Sequence, residues 1–287
     1  MSRIAYVNGR YSEQRLAEVN IEDRGYQFGD GIYEVVHLYR GRLVDEDRHL
    51  GRLERSLREI RLPMPMPRAA LRLVLLEVAR RNRITEGLIY MQVTRGVAPR
   101  DHAFPKNPVP PALVVTVKRI PAFPTDVDKW AGSAILLPDE RWSRVDIKTV
   151  NLLPNCLARQ AAREAGATEA ILYDAATGVV REGAATSFWI VDANGVLRTR
   201  HLDHSILPGC TRDALMAELR AAGIAWEERD YTVAETRAAR EAFITSATSF
   251  VKPMVKLDGQ PVGDGKVGPV TRKLFALFER HVKGNAQ

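Results

Sequence analysis

Two α+β lobes are what the pattern of this chain predicts, and three observations predict them. The 287 residues suffice for one large or two medium domains, each with its own core. Short β-rich runs and helical periodicities mix without the strict alternation of a doubly wound sheet. The segment "PAFPTDVDKW", residues 121–130, carries two prolines and little periodicity, the composition of an interdomain linker. The division expected is an N-terminal α+β domain over 1–120, a linker over 121–131 and a C-terminal domain over 132–287.

In the first domain, "IAYVNG" and "YEVVHLYRGRLV" read as strands, the second broken by a Gly-containing turn at "RGR". Leu50, Leu53, Leu57 and Ile60 recur at helical spacing and predict a helix from about Glu46 to Ile60. A Pro-rich entry precedes a second helix, from about Arg68 to Asn82. The strands "LIYMQVTRG" and "ALVVTVKRI" flank the polar loop "VAPRDHAFPKNPVPP". Past the linker come a strand at "SAILLP", a helix from about Pro154 to Glu164, and strands "EAILYD" and "SFWIVDA". A helix at "CTRDALMAELRAAG", a strand at "EAFITS", a β-hairpin around "VKLDGQPV" and a C-terminal helix complete the chain.

The net charge of +7 invites a nucleic-acid reading, since basic surfaces attract phosphate backbones. The basic residues, however, are interleaved with acids, as in "DEDRHLGRLERSLREIR", and no basic tail or finger motif occurs. They read as solvated helix faces, with no nucleic-acid partner. No apolar run has the length of a membrane span, and "MSRIAYVNGR" lacks the apolar core of an export signal, so a cytoplasmic location is expected. Cys156 and Cys210 lack metal-ligand spacing and read as reduced thiols, with no metal implied.

The stretch "RVDIKTVNLLPN", residues 144–155, surrounds Lys148 with Val145, Ile147, Val150, Leu152 and Leu153, none of which can solvate an ammonium. Lys148 either snorkels to water along apolar surface or is a buried amine that forms a Schiff base. A Schiff-base lysine serving a phosphorylated aldehyde needs a phosphate cradle and a partner for a ring nitrogen. "ILPGCTRDAL" places a Gly-Cys-Thr turn before a helical pattern, where free N–H groups and the helix dipole favour an anion. The plainer reading is a helix cap in which Thr211 bonds its own backbone. "ITSATS", residues 244–249, offers further donors or is an ordinary turn. Arg52 in "RHLGRLERS" is a phosphate ligand or a surface arginine, and Glu182 in "GVVREGAATSFWIV" is a ring-nitrogen partner or an exposed turn glutamate.

Taken together, "RWSRVDIKTVNLLPN", "REGAATSFWIV", "ILPGCTR" and "RHLGRL" resemble the fold-type-IV pyridoxal-phosphate aminotransferases, from about Ile4 to the C-terminal helix. The resemblance implies that family's two-domain α+β architecture and pyridoxal 5'-phosphate as cofactor. It implies that Lys148, in the C-terminal domain, is buried, forms the Schiff base and later moves the substrate α-proton. Glu182 then faces the pyridine nitrogen, and Arg52 binds the phosphate with Cys210, Thr211, Ser246 and Ala247. Two positions depart from the family: Ala247 stands where a threonine is usual, and Cys210 replaces a common isoleucine.

The loop "TRGVAPRDHAFP", residues 94–105, carries an Arg and a His two residues apart, able to converge on one carboxylate or simply be solvated. It resembles the carboxylate trap of the D-amino-acid aminotransferases, with Tyr33 in "GDGIYEVV" as the third group. The resemblance implies D-amino acids and 2-oxo acids as partners, D-alanine and 2-oxoglutarate giving pyruvate and D-glutamate. It also implies a homodimer in which Arg100 and His102 reach the neighbouring subunit's cofactor. The alternatives are a branched-chain L-amino-acid aminotransferase, an aminodeoxychorismate lyase, or a non-catalytic binder of phosphate ligands or nucleic acid.

Overall fold

A computed structural model describes residues 3–121 and 123–284. The chain divides into two compact units: the described part of Met1–Ala122 with Ile147–Asn151, and Phe123–Asp146 with Leu152–Gly284.

The first unit is an antiparallel six-stranded sheet. Its strands are β1 (Ile4–Val7), β2 (Arg10–Glu13), β3 (Gly31–Tyr39), β4 (Arg42–Leu43), β5 (Gly87–Thr94) and β6 (Ala112–Arg119), in the spatial order β2-β1-β6-β5-β3-β4. Its helices are α1 (Arg24–Phe28), α2 (Glu46–Glu59) and α3 (Arg68–Arg81). Strand alternation sorts the side chains into two faces. Ile32, Val36, Leu38, Ile89, Met91 and Val93 join Leu50, Leu53 and Leu57 of α2 and Leu71, Leu75 and Val78 of α3 in one core. The register Tyr33↔Gln92 and Val35↔Tyr90 puts Tyr33, Tyr90 and Gln92 on the opposite face.

In the second unit the strands are β7 (Gly132–Pro138), β8 (Glu169–Tyr173), β9 (Val180–Gly183), β10 (Ser187–Val191), β11 (Leu197–Thr199), β12 (Glu227–Glu228), β13 (Glu241–Ser246), β14 (Phe250–Leu257) and β15 (Gln260–Pro261). They form a mixed sheet in the order β12-β11-β10-β13-β14-β7-β8-β9, with β15 paired to β14. The helices are α4 (Val127–Trp130), α5 (Leu153–Glu164), α6 (Cys210–Ala221), α7 (Val233–Arg237) and α8 (Pro269–Gly284). Parallel pairing of β7 with β8 requires a long crossover, and α5 lies on it.

Two features differ from the sequence expectation. The stretch read as a linker is folded where described. Asp126 accepts the N–H groups of Asp128 and Lys129 at the start of α4, and Phe123 is buried against Phe250 and Phe275. Its prolines mark an irregular entry rather than a free tether. The Lys148 strip, expected in the C-terminal domain, belongs to the first unit. Tyr33 N–H donates to Lys148 O at 3.0 Å, Val150 N–H donates to Gly31 O at 3.1 Å, and Ile147 joins the first core.

Elsewhere, Arg68, Arg72, Arg80 and Arg81 each face a carboxylate, as the interleaved charge pattern suggests. Among the described residues no helix is long and apolar enough to cross a membrane.

Candidate active site

Lys148 is half-buried rather than enclosed, and Leu153 of its supposed apolar shell is exposed. Its Nζ lies 4.2 Å from the centroid of the Tyr33 ring. Tyr33 stacks on Tyr90, whose hydroxyl donates to Gln92 Oε1 at 2.6 Å. Among the described residues no carboxylate pairs with the Lys148 amine. It is therefore a primary amine resting on an aromatic face, on a backbone strip pinned to β3. Lys148 N–H also approaches Ser56 Oγ on α2, at 3.4 Å.

Arg52 is not a surface arginine. Alternation places Glu34, one residue from Tyr33, on the core side of β3 under α2. There Arg52 Nε donates to Glu34 Oε1 at 2.7 Å and Nη2 to Oε2 at 2.9 Å, while His49 Nδ1 lies 2.8 Å from Oε2. Burial alone would raise the Glu34 carboxyl, but Arg52 and His49 overcome it and hold the group well below the ordinary range. The guanidinium plane of Arg52 is thereby fixed.

Arg100 and His102 lie exposed on the loop after β5, and both meet the Phe28 ring. The Arg100 guanidinium sits 4.7 Å from its centroid and the His102 ring 5.5 Å. The loop backbone is held from beneath by Arg24, which donates to Asp101 O at 2.6 Å and to His102 O at 3.3 Å. Asp30 accepts from Arg24 Nε and from two nitrogens of Arg95, and Arg95 lies under Phe104. Tyr33 is elsewhere: among the described residues no hydrogen bond, ion pair or ring contact joins it to Arg100 or His102. Within one chain the three expected carboxylate ligands do not touch among the described residues: Tyr33 packs on Tyr90 and Lys148, and Arg100 and His102 on Phe28.

In the second unit Glu182 lies on β9 with its side chain 6% exposed, so it is no turn residue. Its Oε1 accepts Arg141 Nη1 at 2.7 Å and the Leu207 N–H at 3.1 Å. Its Oε2 has no hydrogen-bond partner among the described residues. Burial pushes the carboxyl above its ordinary range, against the pull of Arg141.

Leu207 begins the segment that runs into α6, whose N-cap is Gly209. No side chain caps this helix, and the Thr211 hydroxyl, buried with Cys210, makes no hydrogen bond among the described residues. Thr211 therefore does not spend its hydroxyl on its own backbone. A Cβ at Gly209 would meet Ser187 Oγ at 2.5 Å, so a larger residue there would have to displace the Ser187 hydroxyl. Ser187 pairs with Thr245 across β10 and β13, so the α6 turn and the Ser246 turn share a support. Ser246 Oγ accepts the N–H groups of Thr248 and Ser249 and lies 3.0 Å from Thr248 Oγ1. Ala247 brings no hydroxyl, but its neighbour Thr248 does.

Sequence reading missed Arg141, Arg24, Asp30 and Arg95, whose polar pairings, some two or six residues apart and others more than forty, leave no periodic signal. Glu34 left a usable signal: a carboxylate at a core position of an apolar strand demands a buried cation.

Residues 31–257 match the family described as amino-transferase class IV. The chain is 40% identical over 278 residues to a D-alanine aminotransferase of Listeria innocua, spanning 96% of this chain and 95% of that protein. It is 38% identical over 281 residues to a D-alanine aminotransferase of Staphylococcus haemolyticus, spanning 98% of each. Among solved structures, the branched-chain aminotransferase of Thermoproteus uzoniensis with norvaline superposes with a TM-score of 0.85 at 25% identity, over 100% of this chain and 97% of that one.

Proposed function

Since the chain belongs to the class IV aminotransferase family, whose members use pyridoxal 5'-phosphate, we propose that it transfers amino groups from D-amino acids to 2-oxo acids. On this reading D-alanine and 2-oxoglutarate give pyruvate and D-glutamate. The observation that carries it is the near-full-length identity of 38–40% to D-alanine aminotransferases in a chain whose Arg100 and His102 gather on one ring.

The donor set fits the cofactor. An uncapped helix start, the Thr211 hydroxyl and the Ser246 turn suit a phosphate. The open Oε2 of Glu182 suits a protonated ring nitrogen. When bound, pyridoxal 5'-phosphate supplies an aldehyde that condenses with amines and a ring that draws electrons from the substrate α-carbon.

The protein's own groups do the rest. Lys148 Nζ, which no carboxylate among the described residues neutralises, would hold the cofactor's aldehyde and is the amine that would accept the substrate α-proton. Glu182 Oε2, left open, would face the ring nitrogen and keep a proton there. Arg52, clamped by Glu34, and the N–H groups at Cys210, Thr211 and Ala247 bind the phosphate. Arg100 and His102 bind the substrate carboxylate with Tyr33, and the fixed side of that carboxylate selects the D-enantiomer.

We read the active form as a homodimer in which Arg100 and His102 serve the neighbouring subunit. Their exposure supports this, as does the exposed apolar surface of Ile21, Tyr26, Val97 and Phe104 along the same loop region. The free thiols Cys156 and Cys210 support a reducing, cytoplasmic setting.

Half-reaction spectra test the reading. D-alanine and D-glutamate are expected to bleach the visible band of the bound cofactor, and L-leucine to do so poorly. Faster conversion of L-leucine than of every D-amino acid overturns it in favour of a branched-chain enzyme.

A further inference from the structure

Glu182 does not stand alone. It belongs to a row of alternating charges, buried at the Glu182 end, on β9 and the segments that follow β7 and β8. Arg141 presents Nη1 to Glu182, while its Nε and Nη2 donate to the two oxygens of Asp139 at 2.9 and 2.8 Å. Arg141 Nη2 also reaches Ser205 O at 3.4 Å. Asp139 accepts a further bond from Arg181 Nη1 at 3.2 Å, and Arg181 Nη2 donates to Asp174 Oδ2. The side chains of Asp139 and Arg141 are 0% and 5% exposed. The fork of Arg141 is thus spent on Asp139, which aims the remaining nitrogen at one oxygen of Glu182.

This arrangement has a consequence for proton placement. Both donors to Glu182 fall on Oε1, so the carboxylate is oriented with Oε2 outward. Among the described residues, Arg141 is the only cation bonded to it. A carboxyl so buried, left without that cation, prefers its neutral form. The Arg141 charge itself is secure: burial works against it, but the Glu182 and Asp139 carboxylates outweigh burial.

We propose that Arg141 is a positioning residue that keeps Glu182 anionic, so that the proton shared between Glu182 Oε2 and the cofactor's ring nitrogen stays on nitrogen. The inference rests on the role read for Glu182 above. Without the Arg141 charge the same proton moves across the hydrogen bond to Oε2. The N–H⁺···⁻O pair becomes a neutral N···H–O pair, with no proton gained from or lost to solvent. Cofactor binding survives, while the electron-withdrawing power of the ring falls.

The test is magnetic resonance of the isotope-labelled ring nitrogen in the holoenzyme, with wild type, Arg141→Lys, Arg141→Gln, Arg141→Met and Glu182→Gln compared. Lys keeps the charge without the fork, Gln keeps a donor without the charge, and Met removes both. The wild type and Arg141→Lys are expected at the protonated position. Arg141→Gln, Arg141→Met and Glu182→Gln are expected at the unprotonated position, with the cofactor still bound after dialysis. If Arg141→Met does not fold, the Lys and Gln variants still decide the matter, because they separate charge from hydrogen bonding. Identical ring-nitrogen shifts in Arg141→Lys and Arg141→Gln, while Glu182→Gln differs from wild type, overturn the inference and leave Glu182 in its role. An unprotonated ring in the wild type itself overturns the role of Glu182 instead.

Discussion

Among the described residues two arginine–glutamate pairs have both side chains buried, one in each unit, and they are built to opposite ends. In the first, Glu34 receives both arms of Arg52 and the His49 ring, so each carboxylate oxygen is engaged. In the second, Glu182 receives Arg141 and a backbone N–H on one oxygen and leaves the other open. The charge follows the geometry: Glu34 is held well below the ordinary carboxyl range, whereas burial wins at Glu182 and pushes it up. A saturated pair fixes the cation that belongs to it. An unsaturated pair presents its anion to something else. The residue types are the same, and the count of donors on each oxygen decides which role results.

The sharpest way to break this contrast is at the open oxygen. Glu182→Gln preserves shape and replaces the anion with an amide. We expect the cofactor to be retained and α-proton removal to slow by about a hundredfold or more, at roughly 1.4 kcal/mol per factor of ten. Single-turnover kinetics check this, and near-native rates would show that the open oxygen has no role.

The saturated pair should fail differently. Glu34→Gln removes the carboxylate that both Arg52 and His49 engage in the core, and breaking a buried pair in this way costs about 3–5 kcal/mol of stability. Denaturant unfolding of the apo protein measures it. The two pairs should also carry opposite pH signatures. The folded-state pKa of Glu34 is depressed, so its stabilisation is complete above the unfolded value near 4.5 and is lost as pH falls toward the folded value. The folded-state pKa of Glu182 is raised, so its protonated form favours folding below the unfolded value, and the benefit is lost as pH rises through the folded one. Glu34→Gln should flatten the acid limb of the stability profile and Glu182→Gln the limb above pH 4.5. A single variant that flattens both limbs contradicts the contrast.

The smallest effect concerns neither pair, which makes it a useful control. Arg100 is exposed and its loop is anchored by Arg24, so Arg100→Ala should leave stability unchanged. Loss of a charge-assisted contact should reduce kcat/KM for D-amino acids by about ten- to a hundredfold, about 1.5–3 kcal/mol, with uncharged amines affected far less. An equal loss on both substrate classes removes Arg100 from the substrate carboxylate.

Much of this was legible in the sequence where periodicity is strong and partners are local. The leucine spacing over Glu46–Glu59, the strand pairs around "LIYMQVTRG" and "ALVVTVKRI", and the strand "EAFITS" all stand where the pattern puts them. Short elements were missed, among them α1 and β9, because a few residues carry no measurable period. The Gly-Cys-Thr turn announced a helix start, yet only the fold reveals that Cys210 and Thr211 already lie inside α6 and that no side chain caps it. Arg141 was invisible for a different reason. It lies within a few residues of Lys148, but its meaning comes from Asp139 and Glu182, and two-residue and long-range polar pairings leave no repeat to detect.

The placement of Lys148 in the first unit has a consequence for how the chain can be made and cut. When β6 has been synthesised, the sheet of the first unit is fully stranded but its β3 end is unfinished. Tyr33 N–H and Gly31 O find their partners only when Lys148 and Val150 emerge, after β7 has already been laid down. These are contacts of high sequence separation, the kind that form late in folding. A fragment ending near residue 120 therefore carries a complete set of strands and an open seam. The proline-rich stretch invites a cut that the hydrogen bonds of β3 argue against.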